Sequence, residues 1–377
     1  MFCLKRRNLF LVSLLLILCT QNGLSQKKKA EEPEAEGSKI KRVHKQIPYP
    51  DGRPHATYYI NPVDLGIVFK HGSGPDKCDI YGARDIWVWE HERTFYMHYD
   101  GAGPKGWVTC LAKSEDLQNW KSEGPTLDLG EKGTKDCASA SYGTTFFDKD
   151  KWHMFYLGTP HTSPAPDLVP AFPYLTMKAE SNSSTGPWKK QYDVTPFSPK
   201  ENTYYSSTAS PGQIIKQGND YLMFFSASTD KPIKRTIGIA RTHDLNGTWE
   251  IDPTPIVPME EQIENTSIYY EPTNKTWFLF TNHVGEKDGL EYTDAIWLYW
   301  TKDLNKWDAK HKAIVLDSKN CKWSKQIIGL PSVIKVDTKL VLFYDGNRSP
   351  LLPQGVKSHM NRDIGMAWLR LPLMLPE

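Results

Sequence analysis

The chain reads Phe95-Tyr96-Met97-His98-Tyr99, an aromatic run followed after a loop by the polar turn Ser114-Glu115-Asp116-Leu117-Gln118-Asn119-Trp120. Similar aromatic runs start at positions 152, 221, 277 and 340, so successive copies lie 57, 69, 56 and 63 residues apart. Polar turns ending in tryptophan recur at 242–249 and 301–307, with a degenerate copy at 185–188. A repeat of this length in a strand-rich chain indicates stacked supersecondary units.

The first copy has the pattern of a meander of short strands. Asp85-Ile86-Trp87-Val88-Trp89 is an unbroken apolar strand, His91-Glu92-Arg93 is a tight polar turn, and the aromatic run returns as the second strand. Residues 107–112 alternate as a third strand, and the polar turn leads to the outer edge, its aspartate holding nearby backbone N–H groups. No segment has the apolar spacing of a long helix. Five copies therefore predict an all-β, five-bladed β-propeller.

The N-terminal residues have the features of a processing signal. Lys5, Arg6 and Arg7 precede an apolar run from Leu9 to Cys19, which is short for a bilayer span. We therefore expect a cleaved signal peptide over residues 1–25, no stable membrane span, and a secreted or periplasmic protein. Leu18 stands where a lipoprotein signal has a small residue, so lipidation is not expected.

Residues 26–57 are predicted to form a flexible leader with a candidate clasp segment, since Lys, Glu and Pro dominate their first part. The propeller, taken as one catalytic domain, is predicted over residues 58–377. Either the closing strand 363–371 or Tyr58-Tyr59-Ile60 is expected to join the last blade to the first.

Composition narrows the choice of ligand. The formal net charge is +2 and no basic stripe carries interleaved aromatics, so nucleic acid is not an expected partner. Beyond the signal, the cysteines show no CxxC spacing, so a zinc site is not expected; they are buried thiols or form one disulfide. No cofactor is predicted, although a structural calcium or sodium ion and the oligomeric state stay open.

Candidate site residues come from the segments that precede the inner strands. Inner strands of a propeller converge on one mouth, where ligand sites gather. Arg84 and Asp85 lead the first inner strand, and Glu264 leads the fourth. Asp136 lies slightly upstream of the second.

These residues and the closing turns resemble the five-bladed propeller glycoside hydrolases, the superfamily that contains families 43, 32 and 117. The resemblance covers nearly all of the chain after residue 80. It implies that Asp85 is the general base and that Glu264 is the nearest match to the general acid. The further aspartate that assists the acid would fall near Thr144 and is missing, so Asp136 is its closest substitute.

The resemblance also implies substrate-binding residues. One related family uses a histidine as its acid, which makes His161 and His283 reserve candidates, because both follow aromatic strands. Arg348 is a candidate for gripping an acidic sugar through paired hydrogen bonds. With Arg84, these residues form the predicted substrate-binding set.

Three functions are compatible with this pattern. The first is a secreted glycoside hydrolase, exo-acting on an oligo- or polysaccharide through two carboxylates with inversion of configuration. The second is a propeller that binds carbohydrate without cleaving it. The third is a protein-interaction propeller, which would keep the blades but not the funnel acids.

Overall fold

The structure is a computed structural model that describes residues 37–45, 48–288, 290–349 and 355–377. The expected signal peptide lies outside these residues. Within the described ranges no helix is long and apolar enough to cross a membrane. The described helical segments are three short 3₁₀ helices, Pro75–Lys77, Met259–Glu261 and Gly355–His359.

Three strands precede the repeats: β1 (Lys41–Arg42), β2 (Tyr58–Tyr59) and β3 (Val63–Phe69). Four of the blades that follow contain four strands of their own. Blade I consists of β4 (Gly82–His91), β5 (Thr94–Gly103), β6 (Gly106–Ser114) and β7 (Lys121–Leu127). Blade II consists of β8 (Ser139–Asp148), β9 (Lys151–Thr159), β12 (Tyr174–Ser181) and β13 (Lys189–Lys190), and it carries the inserted hairpin of β10 (His161–Thr162) and β11 (Pro170–Ala171).

The remaining blades repeat this order. Blade III consists of β14 (Thr208–Gln217), β15 (Asp220–Ser228), β16 (Arg235–Thr242) and β17 (Glu250–Ile251). Blade IV consists of β18 (Ile263–Glu271), β19 (Thr276–Lys287), β20 (Leu290–Thr301) and β21 (Lys312–Leu316). Blade V consists of β22 (Ile328–Val336), β23 (Lys339–Asn347) and β24 (Arg362–Arg370), with β3 as its outer strand.

Inner strands of the five blades form a closed ring. Each of β4, β8, β14, β18 and β22 contacts the next, and β22 contacts β4. Side chains of one inner strand accept hydrogen bonds from the backbone of the next: Ser267 Oγ from Val333 N at 2.9 Å, and Ser332 Oγ from Val88 N at 3.0 Å. The predicted all-β propeller is confirmed, and the ring in the described residues contains five inner strands.

The clasp is a strand that the sequence did not single out. β3 pairs antiparallel with β24, which places Phe69 opposite Ile364 and Val63 opposite Trp368. The expected alternative, Tyr58–Tyr59, instead pairs in parallel with β21 of blade IV. An N-terminal strand therefore completes the last blade, so closure does not depend on the chain's final strand alone.

Part of the predicted flexible leader packs on the propeller. Residues 26–36 lie outside the described ranges. From Gly37 onward the segment is held, because Ser38 N donates to Arg370 O at 2.8 Å and Ile40, 3% exposed, enters the core of blades IV and V. A lone isoleucine among polar residues gives no apolar period, so this docking leaves little trace in the sequence.

The aspartates of the outer turns have the structural role expected of them. Asp116 Oδ1 accepts hydrogen bonds from the backbone N–H of Asn119 at 2.8 Å and Gln118 at 2.9 Å. These bonds lower the pKa of Asp116. The Trp120 indole donates to Leu117 O at 2.7 Å, which packs the end of the turn against the blade.

Phe69 tests the clasp. Its ring is 4% exposed and lies 4.9 Å from the Tyr99 ring, so it joins β3 to blade I. We expect Phe69→Ala to lower the free energy of unfolding by about 3–5 kcal/mol, as burial is lost and a cavity forms. Val63→Ala on the same strand, at a side chain 45% exposed, should change it by less than about 0.5 kcal/mol. Equal urea midpoints for the two variants would contradict this role for β3.

Candidate active site

Each inner strand carries a β-bulge close to its first residue, at corresponding positions in the five blades. The antiparallel register shifts within five pairs of residues: Arg84/Trp87, Ser141/Thr144, Ser210/Gln213, Glu264/Ser267 and Gly329/Ser332. A bulge bends its strand and re-aims side chains. Three bulge residues have positive φ, namely Asp85 (53°), Tyr142 (46°) and Asn265 (61°).

The bulges correct the alignment of the two predicted acids. Asp85 corresponds to Asn265, whereas Glu264 corresponds to Arg84. Asp85 and Glu264 were expected at matching positions and are offset by one residue. Both nevertheless line one cavity.

This funnel cavity collects residues from four blades and two insertions. It offers about 70 Å³ to the centres of water molecules. An adjoining cavity of about 140 Å³ shares Arg84, Tyr174, Arg235, Glu264 and His359 with it. The funnel cavity is lined by the predicted Arg84, Asp85 and Glu264. Its lining also includes Asp100, Trp107, Tyr142, Val169, Tyr174, Arg235 and His359.

Asp85 is held on two sides. The Arg84 guanidinium lies 3.0 Å from each of its carboxylate oxygens. The backbone N–H of Asp85 donates to Asp345 Oδ2 at 3.0 Å, which ties blade I to blade V. Burial raises the pKa of Asp85 and the Arg84 charge opposes that rise. The orientation of this carboxylate is therefore fixed by its neighbours before any ligand binds.

Asp100 is a second carboxyl group beside Asp85. It lies opposite Arg84 in the β4–β5 register, is 2% exposed and accepts a hydrogen bond from the Tyr142 backbone N–H. Burial, and then the negative charge of Asp85, raises the pKa of Asp100 well above its usual value. Burial and the neighbouring carboxylate thus both favour the protonated form of Asp100.

A polar side chain on the second strand of one blade accepts a hydrogen bond from the bulge of the next blade. The Asp345 carboxylate accepts from the backbone N–H of Asp85, and Asp100 accepts from that of Tyr142. Ser226 Oγ accepts from Asn265 N at 2.8 Å. Between blades II and III the corresponding residues are Leu157 and Pro211. The Leu157 side chain has no acceptor and Pro211 has no backbone N–H, so this hydrogen bond cannot form there. The bulge geometry thus depends on matched pairs across blade boundaries.

Glu264 is oriented by two donors. Arg235 Nη1 lies 2.9 Å from Glu264 Oε2, and Asn282 Nδ2 donates to Oε1 at 3.2 Å. Arg235 also forks onto Glu291 through Nε and Nη2, at 2.9 and 2.8 Å. One guanidinium therefore serves two carboxylates.

Tyr142 indicates that the acids face a common space. Burial raises the pKa of Tyr142, and the negative charges of Asp85 and Glu264 add to the rise. Its buried hydroxyl has no hydrogen-bond partner among the described residues. Such an orphaned group at a cavity wall is suited to meet a polar ligand.

His359 is a cavity residue that the sequence did not point to. Its Nδ1 accepts a hydrogen bond from Arg84 Nη1, so its proton lies on Nε2. Burial and the Arg84 charge lower the pKa of His359 well below its usual value. The ring is therefore a neutral donor at the cavity wall.

Four predicted site residues do not line the funnel cavity. Asp136 is fully buried and bound to Lys190 Nζ at 2.6 Å. His283 is fully buried, with its ring 3.5 Å from that of Trp297. His161 is exposed on the β10–β11 hairpin, and Arg348 pairs with Asp363 at 3.1 Å in a separate surface pocket.

Arg362, which also follows an aromatic strand, is fully buried and donates from Nη1 to Asp345 Oδ1 at 2.7 Å. The described residues contain no group of three or more His, Cys, Asp or Glu arranged to hold a metal ion. Cys78, Cys110, Cys137 and Cys321 are free thiols in the structure.

Comparisons with solved structures identify the architecture. A structure described as a glycoside hydrolase matches with a TM-score of 0.61 at 15% identity, over 83% of this chain and 94% of that chain. Zg3597, a family 117 glycoside hydrolase of Zobellia galactanivorans, matches with a TM-score of 0.57 at 16% identity, over 82% and 91%. The fold is that of the five-bladed propeller glycoside hydrolases.

A third similar structure is the catalytic domain of a Coprinopsis cinerea family 62 α-L-arabinofuranosidase. It matches with a TM-score of 0.57 at 11% identity, over 82% of this chain and 96% of that chain. No sequence-family profile matches the chain, and no curated protein sequence matches it. The likeness is therefore one of three-dimensional fold.

Asp100 gives a pH-dependent prediction. Because its folded pKa is raised, the folded state holds a proton that the unfolded state releases as the pH rises above about 4. Unfolding free energy should therefore fall with pH in that range, by up to about 1.4 kcal/mol per pH unit from this group. In Asp100→Asn this component should be absent. Urea midpoints at several pH values measure it, and identical pH slopes for both proteins would contradict a protonated Asp100.

Proposed function

We propose that the protein is a glycoside hydrolase in which Asp85 is the general base and Glu264 the general acid. The observation that carries this proposal is that two carboxylates from blades I and IV line one funnel cavity. Glycosidic cleavage uses two carboxyl groups, one on each side of the scissile bond. The fold shared with solved glycoside hydrolases supports this assignment.

In the proposed reaction, Glu264 donates its proton to the glycosidic oxygen as the bond from that oxygen to the anomeric carbon breaks. The bonding electrons leave with the oxygen. A water molecule attacks the anomeric carbon from the opposite face and gives its proton to Asp85. The Arg84 charge opposes the rise that burial causes in the pKa of Asp85, and so favours the ionised form that a base requires.

We propose inversion of configuration as the stereochemical outcome. Blade V separates blade I from blade IV in the ring, so the two acids approach the cavity from separated strands. An inverting pair needs about 6.5–9.5 Å between carboxyl groups to admit water, whereas a retaining pair needs only about 5–5.5 Å. Analysis of the first-formed anomer by proton NMR measures this directly.

We propose an exo-acting enzyme for an oligo- or polysaccharide. The small cavity supports this, because Trp107, Val169 and Tyr174 wall it and two insertions meet beside it. Lys357 Nζ donates to Asp167 at 2.9 Å, joining the insertion of blade V to that of blade II. The signal-like N-terminus supports action outside the cytoplasm, where such polymers occur.

The two carboxylates test the proposal. We expect Asp85→Asn and Glu264→Gln each to lower kcat on oligosaccharide substrates by about 10²–10⁴-fold, because each removes one proton-transfer partner. Hydrolysis of a panel of oligosaccharides and aryl glycosides measures the loss.

Glu260→Gln is the matched control, since this exposed acid lies four residues before Glu264 and outside the funnel lining. It should keep full activity. Full activity in both funnel variants would refute the assignment. Sugar binding without hydrolysis by the wild-type protein would favour a non-catalytic carbohydrate-binding propeller.

A further inference from the structure

The cavity of about 140 Å³ that adjoins the funnel cavity is built by blades IV and V. Its wall brings the β19–β20 hairpin together with the insertion between β23 and β24. Both strands of that hairpin contain 12 residues, whereas the second and third strands of the other blades contain 8 to 10. The extra length carries Leu290, Glu291 and Tyr292 to the cavity wall.

The N-terminal leader holds this hairpin in place. Arg53, 5% exposed, forks onto Asp294, with Nη1 3.2 Å from Oδ1 and Nη2 3.1 Å from Oδ2. Arg53 Nη1 also donates to the backbone oxygen of Val284, which itself lines the adjoining cavity. Asp51 Oδ2 accepts a hydrogen bond from Glu286 N at 3.0 Å. These contacts hold the hairpin side of the cavity wall in one arrangement.

Two buried hydroxyl groups line the adjoining cavity. Thr293 is 6% exposed and Ser358 is 1% exposed, and neither side-chain oxygen has a hydrogen-bond partner among the described residues. Leaving a buried polar group without a partner is unfavourable, so a ligand or water molecule is expected to complete both. Each hydroxyl can donate and accept, which matches the hydroxyl groups of a sugar.

Charge decides the class of ligand. The three guanidinium groups in the wall are each paired with carboxylates already. The pairs are Arg84 with Asp85, Arg362 with Asp345, and Arg235 with both Glu264 and Glu291. Four carboxylates thus face three guanidinium groups, and burial lowers the pKa of His359 well below its usual value, so its ring adds no charge. A further anion in this confined site would be unfavourable, so the cavity suits an uncharged polar ligand.

Glu264 lies at the boundary between the two cavities. It lines both of them, whereas Asp85 lines the funnel cavity alone and Thr293 the adjoining cavity alone. In the proposed reaction the acid meets the glycosidic oxygen, and the base acts on the far side of the anomeric carbon. The sugar that carries the anomeric carbon therefore belongs on the Asp85 side, and the leaving sugar on the Thr293 side.

We propose that the adjoining cavity is the subsite for an uncharged leaving sugar, with Thr293 and Ser358 as its hydrogen-bonding residues. This inference rests on the proposed function, because the roles given to Asp85 and Glu264 decide which sugar lies in which cavity. Tyr174 and Tyr292 add apolar surface against which a sugar ring packs. The bond that is cut thus joins the terminal unit to a neutral sugar, not to a uronic acid or a sulfated sugar.

Crystals of the wild-type protein soaked with monosaccharides test the subsite without any need for activity. The neutral sugars are D-galactose, D-glucose, D-xylose and L-arabinose, and D-galacturonate and D-glucuronate are the charged counterparts. We expect a neutral sugar in the adjoining cavity, with a hydroxyl group within hydrogen-bonding distance of Thr293 or Ser358. A uronate in this cavity, or water molecules alone there with every sugar, would overturn the inference. A neutral sugar there in a protein that hydrolyses no glycoside would support the sugar site while refuting the proposed catalysis.

Kinetics test the assignment to the leaving sugar. Thr293→Val and Ser358→Ala each remove one hydroxyl group with little change of shape, so kcat/KM on an oligosaccharide should fall by about 3–10-fold. An aryl glycoside releases a phenol without sugar hydroxyl groups, so its kcat/KM should stay unchanged in both variants. Equal losses on the two substrates, as a structural defect produces, would overturn the inference. An unchanged kcat/KM on the oligosaccharide would overturn it as well.

Thr338→Val is the matched control. Thr338 is exposed in the turn between β22 and β23 and lines neither cavity. The same exchange of a hydroxyl for a methyl group should therefore leave kcat/KM unchanged on both substrates. A loss on the oligosaccharide as large as that of Thr293→Val would show that the effect does not come from the adjoining cavity, and would overturn the inference.

Discussion

The hydrogen bond from the Asp85 backbone N–H to Asp345 is the interaction on which the site depends most. It joins the first inner strand to the last blade, where the ring closes, at the residue that leads into the funnel. Asp345 is held in turn by Arg362, and both are almost fully buried, so removing one partner would leave an uncompensated charge. Closure of the ring and placement of Asp85 therefore use the same contact.

The funnel is a set of charges that compensate one another. Arg84 pairs with Asp85, and Arg362 pairs with Asp345. Arg235 pairs with both Glu264 and Glu291. Ionised groups are unfavourable in a confined site unless they are paired, and an odd carboxyl keeps its proton. Asp100 is that odd carboxyl beside Asp85.

The sequence predicted those features that recur with the repeat. The spacing of aromatic runs predicted the five blades, and the start of the inner strands pointed to Arg84, Asp85 and Glu264, which line the cavity. It did not reveal Arg235, Glu291 or His359, because their partners come from other strands or blades. The one-residue offset between Asp85 and Glu264 arises from bulges, which leave no simple pattern. Asp136 and His283 were selected because they lie next to strands. In the structure Asp136 is buried in an ion pair with Lys190, and His283 is buried against the Trp297 ring.

A crystal structure of the Glu264→Gln variant soaked with an oligosaccharide is the sharpest test of the proposed pair, Asp85 and Glu264. We expect a sugar ring in the funnel cavity, with its glycosidic oxygen within hydrogen-bonding distance of residue 264. A water molecule should lie between the anomeric carbon and Asp85. A sugar bound with its glycosidic bond away from these two residues, or bound only on the outer face of a blade, would contradict their proposed roles.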